Sequence, residues 1–212
     1  MEQKYQSHYL IETGIGLQDV DHLKNSSYFL QESSRYLKGD ISLEELDEII
    51  TSYYRNKPKE ETRSEEADKV SLRIAKLVSE DSFTFTVGQL LSIHRFLFAG
   101  ILEHPGQLRD YNFSKKEWVL DGASVTYGDY RDLEMTLQYD FEQEKKYRYA
   151  NLSLDQTIEH LAVFVANLWQ IHAFEEGNTR TTAVFFIKYL RSLGFSTTND
   201  TFAKNAWYFR NA

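Results

Sequence analysis

Nine consecutive residues, His172-Ala173-Phe174-Glu175-Glu176-Gly177-Asn178-Thr179-Arg180, bring together a base, an acid, a flexible turn and a cation. His172 is the one side chain of the set that takes a proton near neutral pH without help from neighbours. Glu176 is of the type that holds a divalent cation through oxygen, and Arg180 of the type that forks onto phosphate oxygens. Gly177 lets backbone approach a ligand closely. The run lies between two apolar, helix-like stretches, Ile158 to Ile171 and Thr181 to Leu193. It therefore ends at a fresh helix N-terminus, where unsatisfied N–H groups and the helix dipole favour an anion. That is equipment for moving a phosphoryl or nucleotidyl group. Plainer roles compete: an acid such as Glu176 caps a helix, Asn178 forms turns, and Thr181 and Thr182 read as caps. Phe174 reads as a plug that fixes the loop in the core. His94 and His160 lack such neighbours, and His160 reads as structural.

The rest of the chain must position this loop. Its 212 residues suit one domain, or one domain with a small helical extension. With 14 Phe and 14 Tyr there is ample material for a core. A net charge of −8 argues against a general nucleic-acid coat, while leaving room for one nucleotide in a local basic pocket. The absence of cysteine removes disulfides, thiol catalysis and thiolate metal sites, and fits a reducing compartment. No run approaches about 18 apolar residues, so no membrane span is expected, and the N-terminus has no apolar signal region.

Most of the chain reads as helix. Asp19 to Leu37 is expected to be helical and to stop at Lys38-Gly39. Ser42-Leu43-Glu44-Glu45 is a capping box that opens a helix to about Tyr54. A charged, proline-containing linker spans Arg55 to Glu61, and further helices are expected over Glu65–Leu77, Thr86–Leu102, Leu133–Lys146 and Leu154–Ile171. Between them, Trp118 to Tyr127 carries β-branched and aromatic residues about Asp121-Gly122, a hairpin pattern. A last amphipathic stretch begins near Thr201 and stops at Ala212 without a cap, which suggests that the helix continues beyond it. The expected fold is thus all-α, a helical bundle with one short β-hairpin.

The nine-residue run resembles the signature of the Fic family: histidine, any residue, phenylalanine, any residue, an acid, glycine, asparagine, glycine or lysine, arginine, two further residues, and a second arginine. Six of eight informative positions agree in register, a far more specific match than a lone glycine-rich loop. Thr179 stands where glycine or lysine is usual, and Ala183 where many members carry the second arginine. The stretch Pro105 to Asn112, with Leu108-Arg109 and Asn112, resembles the segment before the family's flap hairpin. The resemblance runs from about Thr86 to Phe209 and implies the Fic fold, with residues 61–212 as its core and residues 1–60 as an N-terminal helical extension.

What the resemblance implies about chemistry is specific. ATP with Mg2+ as cofactor would lie over the loop, held by Phe174, Gly177, Asn178, Thr179 and Arg180, with Glu176 on the metal. His172 would accept the proton of a Tyr, Ser or Thr hydroxyl on a target protein. The flap, Trp118, Val119, Leu120, Val125, Thr126 and Tyr127, would align that target by main-chain pairing. The implied activity is protein adenylylation, with self-modification, in the cytoplasm. Doc-like phosphoryl transfer, which accompanies lysine at the position of Thr179, and a non-catalytic ATP-binding module are the alternatives. Ser34, Lys38 and Gly39 resemble a degenerate form of the family's inhibitory motif, in which Lys38 replaces the glutamate that pairs with the second arginine. With Ala183 in place of that arginine, both halves of the ion pair are missing; Glu32 is a candidate substitute. Fic domains often dimerise, and a homodimer is a further expectation.

Overall fold

In a computed structural model, residues 2–56, 63–116 and 121–197 are described. Among them, eight α-helices and a two-stranded sheet follow in the order α1 (Glu2–Gly16), α2 (Ser27–Lys38), α3 (Leu43–Arg55), α4 (Ser64–Ser79), α5 (Val87–Phe98), β1 (Ser114–Lys116), β2 (Ser124–Thr126), α6 (Leu133–Lys146), α7 (Leu154–Ile171) and α8 (Asn178–Ser192). The mainly helical architecture with one small hairpin agrees with the expectation from sequence.

Local chemistry sets several helix starts. Ser42 accepts from the Glu45 N–H at 3.1 Å while Glu45 accepts from the Ser42 N–H at 2.7 Å, so α3 opens on a complete capping box. Ser153 and Gln156 build another for α7, and Thr86 caps α5. Gly39, in the left-handed region, closes α2.

The expected single helix over 19–37 is interrupted. Asp19–Asp21 forms a 3-10 turn, His22 adopts a left-handed conformation, and α2 begins only after Ser26. The reason is Asp68 on α4, a buried carboxylate that needs partners. It accepts from the Asn25 side chain at 3.1 Å and the Ser26 backbone at 2.9 Å, which holds the connecting segment extended. The helix α1 was not among the helices expected from sequence. Gly14 lies where α1 crosses α4, and a Cβ there would run into the Ser71 carbonyl. The glycine brings two helix backbones together.

The core has two parts. One gathers α1, α2, α3 and α4 around Ile11, Phe29, Leu46, Ile50 and Leu72. The larger runs from Leu17 and Val20 through α4–α7 to Phe185 and Tyr189 on α8. Helix α8 is buried along much of its length, and even Lys188 is inside, where its ammonium caps the last carbonyls of α4 at Leu77 and Glu80, each 2.7 Å away.

The hairpin differs from its expected bounds. Its first strand lies earlier, at Ser114–Lys116, and pairs antiparallel with β2 in the register Ser114–Thr126, Lys115–Val125 and Lys116–Ser124. Asp121 and Gly122 both have positive φ, as the expected Asp-Gly turn requires. The flap residues Trp118, Val119 and Leu120, and the expected last helix from Thr201, lie outside the described residues.

Candidate active site

His172 closes α7 from the left-handed region, with φ of 52°. That conformation is uncommon for a residue with a Cβ and is held from several sides. Its N–H donates to the Trp169 carbonyl at 3.1 Å. Its carbonyl accepts from Arg109 Nε at 2.8 Å. The Arg109 guanidinium also donates to the carbonyls of Tyr111 and Gly128, and the Arg109 N–H to the Ala173 carbonyl at 3.0 Å. One buried arginine thus ties the end of α7 to the segment before β1 and the turn after β2.

The imidazole of His172 is 4% exposed and sits among aromatic rings. Tyr127 stacks on it with centroids 3.9 Å apart, while Trp169 and Phe113 meet it edge-on at 5.6 and 5.4 Å. Tyr127 was expected to belong to the target-docking flap. It follows β2, is buried, and packs inward against the histidine. His172 nevertheless lines a cavity of about 300 Å³, together with Asp21, Lys115, Tyr127, Trp169, Glu175, Glu176, Gly177, Asn178 and Thr179.

The loop after His172 is shaped by partners that its sequence spacing does not reveal. Asn178 Oδ1 accepts from the Phe174 N–H at 2.9 Å, and its Nδ2 donates to the Phe174 carbonyl at 2.7 Å. Phe174 is buried and stacks on His94 at 3.8 Å, which agrees with the plug read from sequence and keeps it off the cavity wall. His94 had been given no role. The Gly106 N–H donates to its Nδ1 at 2.7 Å, so its Nε2 carries the proton and donates to the Glu176 carbonyl, 3.0 Å away. Burial pushes this imidazole down to about 4, which keeps it in the neutral form that both bonds need. Gly177, with φ of 76°, is the N-cap of α8, and no side chain caps the helix. A Cβ at Gly177 would overlap the Phe98 ring, so the close approach here is to the core.

The charged members of the run are engaged. Arg180 is fully buried, and its guanidinium is directed away from the cavity. It pairs with Asp21 at 2.9 Å and Glu66 at 2.8 Å, donates to Gln18 at 3.1 Å, and lies over Phe98. Arg63 holds Glu66 through two bonds of 2.7 and 2.8 Å and pairs with Glu176 as well. Burial alone would raise the Glu66 carboxyl; the hydrogen bonds from Arg63, with Arg180 beside it, outweigh that and hold it below the usual range. Glu175 accepts from the Tyr111 hydroxyl at 2.8 Å. Thr179 Oγ1 accepts from the Trp169 indole N–H at 3.0 Å.

The structure therefore brings His172, Glu176, Gly177, Asn178 and Thr179 to one cavity, and places Phe174 and Arg180 behind it. Val125 and Thr126 lie on β2. Ser34, Lys38 and Gly39 are exposed on or beside α2 and line no part of the cavity, and Glu32 pairs with Arg35 at 2.6 Å. Groups of three or more histidine or acidic residues that could hold a metal ion do not occur among the described residues.

The sequence model of the Fic/DOC family matches residues 84–190, half of the chain, and the chain belongs to that family. The family consists broadly of transferases that move nucleotide or phosphate groups and act on protein targets. Among solved structures, the chain is similar to a Fic family protein from Desulfovibrio desulfuricans G20, at 13% identity and a TM-score of 0.59. The match covers 98% of this chain and 56% of that one, so this chain spans little more than half of its structural relative. Among curated proteins no match is found. No helix among the described residues is long and apolar enough to cross a membrane.

Proposed function

We propose that this protein transfers AMP from ATP to a hydroxyl of a target protein. The observation that carries the reading is the shared cavity: an imidazole on one wall and a helix N-terminus without a side-chain cap on another. At about 300 Å³ the cavity lies at the small end for ligand sites, which suits the polyphosphate, with the nucleoside extending outside it. His172 accepts the proton of the target hydroxyl. The oxygen then forms its bond to the α-phosphorus as the bond to the β-phosphate oxygen breaks and pyrophosphate leaves. The aromatic neighbours fix the imidazole plane, and the first-turn amides of α8 stabilise charge on the phosphates. Either outer edge of the β1–β2 ribbon can align a target segment through its main chain.

The residues fit Mg2+ in a limited way: Glu176 is one half-exposed carboxylate, and magnesium is commonly held by one or two carboxylates together with substrate phosphates. When bound, the ion neutralises phosphate charge. Arg63 must leave Glu176 before that carboxylate is available.

Thr179 favours a second reading, phosphoryl transfer. Its side chain is fixed by Trp169 on the cavity wall, a β-branched group where the adenylylating pattern has glycine. ATP labelled at the α or the γ position separates the two: α-label on protein supports adenylylation, and γ-label alone replaces it with phosphoryl transfer. Residues 1–60 are read as an extension of the catalytic core at 61–212. The 14 tyrosines make self-labelling a convenient first assay.

A further inference from the structure

We propose that Lys115 on the flap strand is the side chain that grips the nucleotide's phosphates, the role that the signature assigns to Arg180. The inference rests on the nucleotide reading above.

The charges on the cavity wall are Asp21, Glu175, Glu176 and Lys115. Each acid already has a partner: Asp21 has Arg180 at 2.9 Å, Glu176 has Arg63, and Glu175 has the Tyr111 hydroxyl. Arg180 itself is turned inward between two carboxylates. Lys115 makes no ion pair with any described residue; its ammonium lies over the Phe113 ring, 5.8 Å from the centroid. Among the described residues it is the wall's positive side chain without an acidic partner.

Strand geometry directs it there. Residues two apart on a strand share a face. Phe113 precedes β1 and meets Tyr127 across the hairpin at 5.2 Å, and both rings pack on His172. Lys115 and Val125 are the next pair on that face in the observed register. The face that presses on the imidazole thus carries the ammonium to the cavity beside it.

The opposite wall supplies a complementary donor. Thr179 Oγ1 receives the Trp169 indole proton at 3.0 Å, and its own hydroxyl proton is left to donate into the cavity. A phosphate between the two walls meets a flexible point charge on one side and a hydroxyl with helix amides on the other. The strand that can align the target then also supplies a contact to the phosphates.

The test is isothermal titration of the full chain with ATP, ADP and AMP in Mg2+, without target protein. Lys115→Met is expected to weaken ATP about ten-fold or more, as for a lost charge-assisted contact, and AMP less. Lys115→Arg is expected to restore binding to within about three-fold of the parent, because it keeps the charge. Lys115 is exposed, and an unchanged melting temperature checks that the variants are folded. If the parent binds ATP and Lys115→Met binds it equally well, the assignment is overturned while the nucleotide reading stands. Unchanged nucleotide binding with loss of transfer moves Lys115 to the target and also overturns it. A parent that binds no triphosphate overturns both.

Discussion

His172 closes α7 and Arg180 lies in the first turn of α8, at the two ends of one nine-residue run, and different parts of the chain hold them. The histidine is fixed by Arg109, Phe113, Tyr127 and Trp169, all within the family-matched residues 84–190. The charged groups of Arg180 and Glu176 find their polar partners in Gln18, Asp21, Arg63 and Glu66, all of which precede that region, although Phe98 lies under Arg180 and His94 holds the Glu176 carbonyl from within it. The first set is aromatic stacking plus one arginine on backbone carbonyls. The second is a chain of ion pairs that runs from the exposed Arg63–Glu176 contact to the wholly buried Arg180. The histidine is thus placed by the family-matched core, while the N-terminal helices supply the charged partners of Arg180 and Glu176.

Substitutions on the two sides should behave differently. The largest effect is expected at His172→Ala: a loss of about 10²–10⁴-fold in transfer, with ATP binding retained by titration. A variant that still labels at the parent rate removes His172 from the chemistry. Next comes Glu66→Ala, which leaves the buried Arg180 short of a carboxylate and is expected to cost about 3–5 kcal/mol in denaturant unfolding. Adding Arg180→Met should recover part of that loss; strict additivity of the two would deny their coupling. His94 gives a pH signature. Its folded value of about 4 lies below the ordinary value of about 6.5. The stability it contributes is complete above about pH 6.5 and declines as the pH falls towards 4, because only the unfolded chain is protonated in that window. His94→Asn should flatten this part of the stability profile, and a curve that keeps the parent's slope contradicts the neutral clamp. The smallest effect is expected at Arg63→Gln. Its pair with Glu176 is about four-tenths exposed on each side, and such pairs contribute about 0–1 kcal/mol. Affinity for Mg2+–ATP should rise by no more than about five-fold. A fall in affinity would show that Arg63 helps the ligand.

What could be read from the sequence was local. The capping box at Ser42, the bounds of α6 and α7, and the Asp121-Gly122 turn follow from short-range rules and agree with the structure. The signature identified the loop because its residue types follow one another directly. What escaped has no spacing rule. Arg180 meets Glu66 across 114 positions and Gln18 across 162. His94 reaches Glu176 across 82, so a histidine without neighbours in sequence becomes the support of the loop. The place of Gly14 within α1 follows from the α4 backbone that crosses it, and that partner cannot be read from the glycine's neighbours in sequence. The interruption before α2 depends on Asp68, a residue of another helix.

The proposed transfer requires His172 and the uncapped N-terminus of α8 to act on one nucleotide in one cavity. Incubation of the full chain and of His172→Ala with ATP labelled at the α-phosphate, followed by measurement of label on protein, tests it most directly. Covalent α-label is expected with the parent chain and at least about a hundred-fold less with the variant. Equal labelling of the two proteins, or none with either while ATP still binds, would contradict it.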